Sequence, residues 1–116
     1  MTTELEQVEI QIDAAKRIRS LRDNCVKLMD SKYFKDVIED GYFKEEAARL
    51  VMAKSSNLNP DQMKLIDNMQ YGIGALANFL ESVMRRGSEM DTAIGEHEQT
   101  REEILAEGIS KWLIPL

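Results

Sequence analysis

The apolar residues of this chain recur at intervals of three and four almost throughout, which is the spacing of a helix rather than of a strand. The first predicted helix begins at Thr3, because Thr3 and Glu6 have the spacing of a capping box. Its apolar seam consists of Leu5, Val8, Ile12 and Ala15 and, after a three-residue step, of Ile18, Leu21, Cys25 and Leu28. We expect this helix to run for about 25 residues and to lie against another element along that seam.

A second helix is predicted to begin near Asp30 or Ser31, since both residue types are favourable helix N-caps. Gly41 fits a helix C-cap, so we expect the chain to leave the helix there and to resume the pattern afterwards. Four aromatic residues flank this point and are predicted to form the bulky corner of the core: Tyr33, Phe34, Tyr42 and Phe43.

The third predicted helix has the most regular pattern in the chain. Asn59 can cap it, and Pro60 follows at the first helical position, where a missing N–H costs nothing. Its seam repeats every three and four residues, as in a coiled coil: Ile66, Met69, Ile73, Leu76, Leu80 and Val83. We predict that these residues form a self-association surface, because a chain of this size with long, thin helices buries little interior alone.

Several glycines leave alternatives open in this part of the chain. Gly72 and Gly74 can be tolerated residues, can permit the close approach of another helix, or can mark a break at Tyr71–Gly72. We expect Gly87 to end the third helix and Ser88 to begin a separate acidic one. The alternative is a single rod that is kinked at Gly87.

Together these elements predict an all-α protein of three to five helices, arranged as a helical bundle or a long helical hairpin with a coiled-coil-like seam. We assign residues 1–108 to a single helical domain and residues 109–116 to an apolar C-terminal tail. The large apolar residues of the tail are Trp112, Leu113, Ile114 and Leu116. Two interpretations of the tail stay open: it folds back and caps the bundle, or it anchors the protein in a groove of a partner.

The distribution of charge adds a second candidate for partner binding. The chain has 15 basic and 21 acidic residues and a net charge of −6. Between Ser88 and Gly108 there are seven acidic residues and one arginine, so this stretch alone accounts for the excess. We expect Glu98, Glu102 and Glu103 to contact a basic protein partner. Nucleic acid and membrane are not expected as partners, because the stretch is acidic and no apolar run approaches ~20 residues.

Residues that usually carry chemistry are scarce. The single histidine, His97, lies between Glu96 and Glu98, and neighbours on a helix point in different directions, so these three cannot chelate one ion. There is no Glu-x-x-His motif and no phosphate-binding loop, and the single cysteine, Cys25, lies on the predicted inner face. We therefore predict no catalytic residue, no metal and no cofactor, and a protein that is not an enzyme.

The segment Asp30–Leu50 contains the sequence FKDVIEDGYFKEEAARL, which resembles a pattern in small helical proteins of tailed bacteriophages. In those proteins the pattern precedes a long helix and a glutamate-rich end, and Arg101–Glu107 is similar to that end. The resemblance covers residues 30–107 and implies a virion structural or virion-assembly protein in the host-cell cytoplasm or in the virion. It carries over no catalytic residue and does not include the tail.

Two functional hypotheses follow from these observations. The first is a non-enzymatic phage virion structural or assembly protein that forms a homo-oligomer. It would dock on a larger virion or host protein through the tail and the acidic helix. The second is a small acidic adaptor or inhibitor that binds a basic site on a host protein. Binding that weakens strongly with salt would favour the second hypothesis over the first.

Overall fold

The computed structural model describes the backbone of residues 3–113 and the side chains of residues 3–108. In chain order the elements are α1 (Glu4–Asp30), α2 (Lys32–Phe34), a π-helix (Lys35–Glu46), α3 (Ala47–Ala53) and α4 (Pro60–Leu113). Among the described residues there is no β-strand. The predicted all-α class is therefore confirmed.

Side chains cap α1 and α4 at the predicted positions. The Thr3 hydroxyl accepts a hydrogen bond from the backbone N–H of Glu6 at 3.1 Å, and the Glu6 carboxylate accepts one from the N–H of Thr3. At the start of α4, Asn59 Oδ1 accepts the N–H of Gln62 at 2.8 Å, and Gln62 Oε1 accepts the N–H of Asn59. Both pairs satisfy N–H groups that a helix leaves free at its first turn, so these starts are determined locally.

The segment that follows Ser31, whose hydroxyl caps it, is a continuous helix, and the predicted C-cap at Gly41 is wrong. None of the described glycines has a positive φ, and Gly41 lies inside the π-helix, which is 12 residues long. A π-helix closes i→i+5 hydrogen bonds and is wider than an α-helix. Phe34, Ile38 and Phe43, at intervals of four and five, therefore pack in one cluster without a break at the glycine.

α4 is a single helix of 54 residues, so the predicted break at Gly87 is wrong. Gly87 is buried, and a Cβ atom at this position would lie 2.2 Å from both the Cβ and the Cγ of Arg22. The glycine is required because another helix approaches α4, and it does not mark a helix end. α4 also continues past Gly108, the predicted end of the domain, to Leu113.

Contacts within the chain define two compact units. Unit 1 comprises Met1–Asp23 and Arg85–Leu116, and unit 2 comprises Asn24–Met84. Each unit thus contains one stretch of α1 and one stretch of α4. The division runs through the region that the sequence assigns to a single helical domain.

Unit 2 has an apolar core made of two clusters. The buried residues of the first cluster are Cys25, Phe34, Leu80 and Val83. The buried residues of the second cluster are Leu50, Ile66 and Ile73. Phe43 packs against both clusters, so this single ring connects the two parts of the core.

Unit 1 is an antiparallel helix pair with a thinner core, whose buried apolar residues are Val8, Ile12, Ala15 and Ile94. Arg22 packs on Gly87, which places the end of the α1 stretch beside the start of the α4 stretch. Val8 lies about 21 Å farther back along α1 at 1.5 Å per residue. The α4 stretch of unit 1 begins at Arg85, so the residues that cover Val8 must follow Gly87 in the sequence. Moving toward the N-terminus of α1 therefore corresponds to moving toward the C-terminus of α4, and the two stretches are antiparallel.

The inner face of α1 departs from the predicted seam after Ala15. Val8, Ala15 and Arg22 follow one another at intervals of seven, and the Arg22 side chain is only 15 % exposed. Leu21 and Leu28, which the predicted seam places inward, are 52 % and 53 % exposed. The inner face of α1 keeps a seven-residue repeat, and the position seven residues after Ala15 is occupied by Arg22.

Candidate interaction surfaces

The seam predicted for self-association lies mostly in the core of unit 2. Ile66, Ile73, Leu80 and Val83 are buried, Leu76 packs against the first cluster, and Met69 is 40 % exposed. The π-helix and α3 supply Phe34, Phe43 and Leu50 as the intramolecular partners of this seam. Self-association through these six residues stays a prediction, and the chain already covers most of them by itself.

The two glycines beside the seam have different surroundings. A Cβ atom at Gly72 would lie 3.4 Å from the hydroxyl oxygen of Tyr42, so the π-helix comes into contact with α4 at this point. A Cβ atom at Gly74 would meet nothing within 4 Å. α4 is continuous through both positions, so the alternative of a break at Tyr71–Gly72 is wrong.

A groove of about 650 Å³ opens in unit 2 between the π-helix and α4. Its lining residues are Val37, Ile38, Gly41, Tyr42, Glu46 and Leu76. A hydrogen bond and ion pair from Arg49 hold the pKa of the Glu46 carboxyl below its ordinary value, so this carboxylate is already partnered. The groove therefore offers mainly apolar contact, of the kind that receives an apolar side chain of another protein.

The carboxylates predicted to bind a partner lie on the last third of α4. Glu102 and Glu103 are exposed, and Glu98 is half-buried. The Glu103 carboxylate accepts a hydrogen bond from the Gln99 side chain at 3.3 Å. None of the ion pairs found within residues 3–108 involves these three carboxylates. They remain available to a basic group from outside the described structure.

Folding adds a second set of carboxylates to this region of unit 1. Residues 4–13 of α1 carry four acidic residues and no base, and the antiparallel pairing brings them to the same end as residues 96–107. Together the two ranges contain nine acidic residues and one arginine, a net charge of −8. We call these two ranges the acidic end of unit 1. This acidic end is not evident from the sequence, because the four acidic residues of α1 are balanced by bases later in the same helix.

A second surface that the sequence analysis missed is the outer face of α1, formed by Ile10, Ala14, Arg17 and Leu21. These residues follow at intervals of four, three and four, so they lie on one side of the helix. Ile10 is 57 % exposed and Leu21 is 52 % exposed. The four-three spacing is visible in the sequence, but placing Leu21 on the inner seam conceals it.

The side chains of the predicted tail, residues 109–116, all lie outside the described residues. Trp112 and Leu113 are in the last turn of α4, and their side chains are outside the described residues. Ile114 and Leu116 are themselves outside the described residues. The two interpretations of the tail, a cap on the bundle or an anchor in a partner, therefore stay predictions.

The single cysteine and the single histidine have ordinary environments. Cys25 is buried in the first cluster of unit 2, as predicted, and its sulfur lies 3.6 Å from the sulfur of Met29. His97 is half-buried on α4. Within the described residues, no group of three or more His, Cys, Asp or Glu side chains is arranged to hold a metal ion. No helix in that part of the chain is long and apolar enough to span a membrane.

Comparison of the chain with protein-family models, with curated proteins and with solved structures found no match. The case for function therefore depends on the surfaces described above.

Proposed function

We propose that this chain is a non-enzymatic assembly protein, which self-associates and docks on a larger protein. The bacteriophage resemblance of Asp30–Leu50 suggests a virion or virion-assembly setting for that role. In this proposal the tail and the exposed carboxylates Glu98, Glu102 and Glu103 bind the larger partner. The groove beside Leu76 offers an additional site for an apolar side chain.

The observation that carries the proposal is the balance between exposed and buried apolar side chains. Among the described residues, thirteen large apolar side chains are exposed, whereas eleven apolar residues are buried. Scattered exposed apolar residues are common on monomers, but contiguous apolar surface marks sites of protein association. The groove in unit 2 is such a contiguous surface, and the outer face of α1 adds two exposed large apolar residues, Ile10 and Leu21, on one side of a helix. Covering them with another protein surface would remove this area from water.

The solution mass tests this proposal directly. Light scattering is performed on the full chain and on a chain that ends at Gly108, each over a range of concentrations. We expect the full chain to have a mass of at least twice 13.3 kDa. Fewer copies in the oligomer of the shortened chain would assign self-association to the tail, and an unchanged number of copies would leave the tail for the foreign partner. A mass of 13.3 kDa for the full chain at the highest concentration, with a single-chain mass for the shortened chain as well, would contradict self-association.

The acidic end of unit 1 favours a second candidate function, a small acidic adaptor that binds a basic site on another protein. A net charge of −8 at one end of a helix pair raises the rate of encounter with a basic surface and is screened by salt. Binding to a defined basic peptide, such as a lysine-rich helix, is measured by calorimetry at increasing salt. Affinity that falls steeply with salt, together with a monomeric mass, would favour the adaptor over the assembly protein.

A further inference from the structure

The outer face of α1 lies on the opposite side of the helix from the core and carries two large apolar residues, Ile10 and Leu21. Val8, Ile12 and Ala15 are at most 6 % exposed and face α4, whereas Ile10 and Leu21 are more than half exposed. Both faces are regular, because each follows intervals of three and four residues. Unit 1 covers the first of these faces and leaves Ile10 and Leu21 exposed on the second.

The charges on this part of α1 are divided between its two halves. Residues 4–13 contain four carboxylates and no base, which gives −4. Residues 14–23 contain four bases and one carboxylate, but Arg22 packs on Gly87 and pairs with carboxylates, so the exposed bases of this half are Lys16 and Arg17. Glu9, Asp13, Lys16 and Arg17 are all exposed. Two such helices attract each other when they run antiparallel, since the acidic half of each then faces the basic half of the other, and they repel when they run parallel.

We propose that the outer face of α1 binds the same face of a second copy of this chain in an antiparallel arrangement. A two-fold axis between Ala15 and Lys16 brings Ile10 opposite Leu21 of the second copy. The same axis brings Ala14 opposite Arg17 and Asp13 next to Arg17 of the second copy. A surface that pairs with itself in this way forms a closed dimer.

This inference rests on the proposed function, because it names the surface by which the chain self-associates. It differs from the sequence-based expectation, which assigns self-association to the seam from Ile66 to Val83. That seam is mostly buried within unit 2, whereas the outer face of α1 is exposed. The charge pattern also favours a second copy of this chain as the partner. The acidic half of α1 is complementary to the basic half of another α1, and the basic half is complementary to its acidic half.

Two charge-reversal variants test the proposal by sedimentation velocity. The first carries Lys16→Glu and Arg17→Glu, and the second carries Glu9→Lys and Asp13→Lys. Each variant alone places like charges opposite each other, so we expect its dimer dissociation constant to rise at least about tenfold. An equimolar mixture restores opposite charges at both ends, and we expect it to form a 1:1 heterodimer with close to the original dissociation constant.

Additional variants separate the two large apolar residues from the charges. Ile10→Gln with Leu21→Gln removes both apolar side chains without a change of charge, and we expect weaker dimerisation by a similar factor. Val51→Gln is the matched control for an exposed apolar residue, and Lys64→Glu is the control for an exposed lysine. Neither control should change the dissociation constant. Circular dichroism confirms that each variant keeps its helix content.

Three outcomes would overturn the proposal in different ways. Charge-reversal variants that dimerise like the original chain would exclude this face and leave the proposed function in place. Two impaired variants whose mixture stays monomeric would exclude the antiparallel pairing. An original chain that is monomeric at every concentration would contradict both this inference and self-association itself.

Discussion

Unit 1 and unit 2 each pair a stretch of α1 with a stretch of α4, but different residues face the interior. In unit 2 the inward residues of α4 are aliphatic, as at Ile73 and Leu80, and they meet aromatic and aliphatic side chains. In unit 1 the inward face of α4 includes Gly87, and α1 presents Arg22 to it. The packing of α4 therefore differs along its length: apolar side chains pack on it in unit 2, and Arg22 packs closely on its Gly87 in unit 1.

The interaction at Gly87 combines packing with charge. The Cβ and Cγ of Arg22 lie over the glycine, and the guanidinium reaches Asp91 at 3.0 Å and Asp23 at 2.8 Å. Hydrogen bonds from Arg22 to both carboxylates raise the pKa of the guanidinium further above its ordinary value. The aliphatic part of the side chain fills a position that a leucine would fill in a regular seam, and its charge stays in contact with solvent and carboxylates. The stability of unit 1 should therefore depend on salt, and that of unit 2 on buried volume.

The largest expected effect comes from the core of unit 2. Leu50 is 1 % exposed, so Leu50→Ala should lower the free energy of unfolding by about 2–5 kcal/mol. The matched control is Val51→Ala, because Val51 is the next residue on α3 and is 60 % exposed. This control should stay within about 0.5 kcal/mol of the original chain. Urea denaturation followed by circular dichroism measures both, and equal losses would contradict the assigned core.

The next effect concerns the close approach in unit 1. Gly87→Ala should lower the free energy of unfolding by about 1–3 kcal/mol, because the added Cβ overlaps the Cβ and Cγ of Arg22. Gly95 lies on the same helix and in the same unit, and a Cβ atom there meets nothing within 4 Å. Gly95→Ala should therefore raise the free energy of unfolding by about 0.5–1 kcal/mol. Thermal denaturation of the pair decides the point, since the same sign for both changes would refute the close approach.

A smaller loss of stability is expected when Arg22 keeps its aliphatic chain but loses its charge. Arg22→Met keeps an unbranched side chain over Gly87 and removes the ion pair with Asp91. We expect a loss of stability smaller than that of Gly87→Ala, and we expect it to shrink in about 1 M salt, where charges are screened within about 3 Å. Denaturation curves at low and high salt provide the measurement. A loss that is independent of salt would show that packing alone accounts for the role of Arg22.

The smallest effect belongs to the surface of unit 2, where Glu46 pairs with Arg49. The hydrogen bond from Arg49 is the main cause of the lowered pKa of Glu46, so the folded state binds this proton less readily than the unfolded chain does. The pair therefore adds stability above the ordinary pKa of a glutamate, and the contribution is lost as pH falls through the lowered value. The difference between the original chain and Glu46→Gln should vanish in acid. A difference that grows as pH falls would reverse the assigned sign.

The sequence predicts the helix starts well because capping is local. Thr3 with Glu6, and Asn59 with its following turn, need only residues within three positions of each other. The helix class and most inward residues also follow from the local period. The role of Gly87 is not local, because the residue that packs on it is Arg22 of another helix. From the sequence alone, a glycine that follows basic residues is typical of a helix end.

The candidate surfaces were predicted less completely than the fold. The carboxylates of α4 are evident in the composition, whereas the acidic end of unit 1 requires the antiparallel pairing that brings residues 4–13 beside them. The apolar spacing places Leu21 on the inner face, whereas in the structure Arg22 faces inward and Leu21 is 52 % exposed. A sequence pattern identifies apolar stripes but does not decide which of two stripes the chain covers by itself.

The π-helix has a consequence for how this protein tolerates changes of length. Phe34 and Phe43 are nine residues apart and enter the same cluster, whereas two turns of an α-helix span about seven residues. A deletion of two residues between them would let the segment rewind as an α-helix with both rings still on one side. The π-helix thus holds two residues more than the α-helical path requires, and a shortened chain could keep its aromatic core at this point.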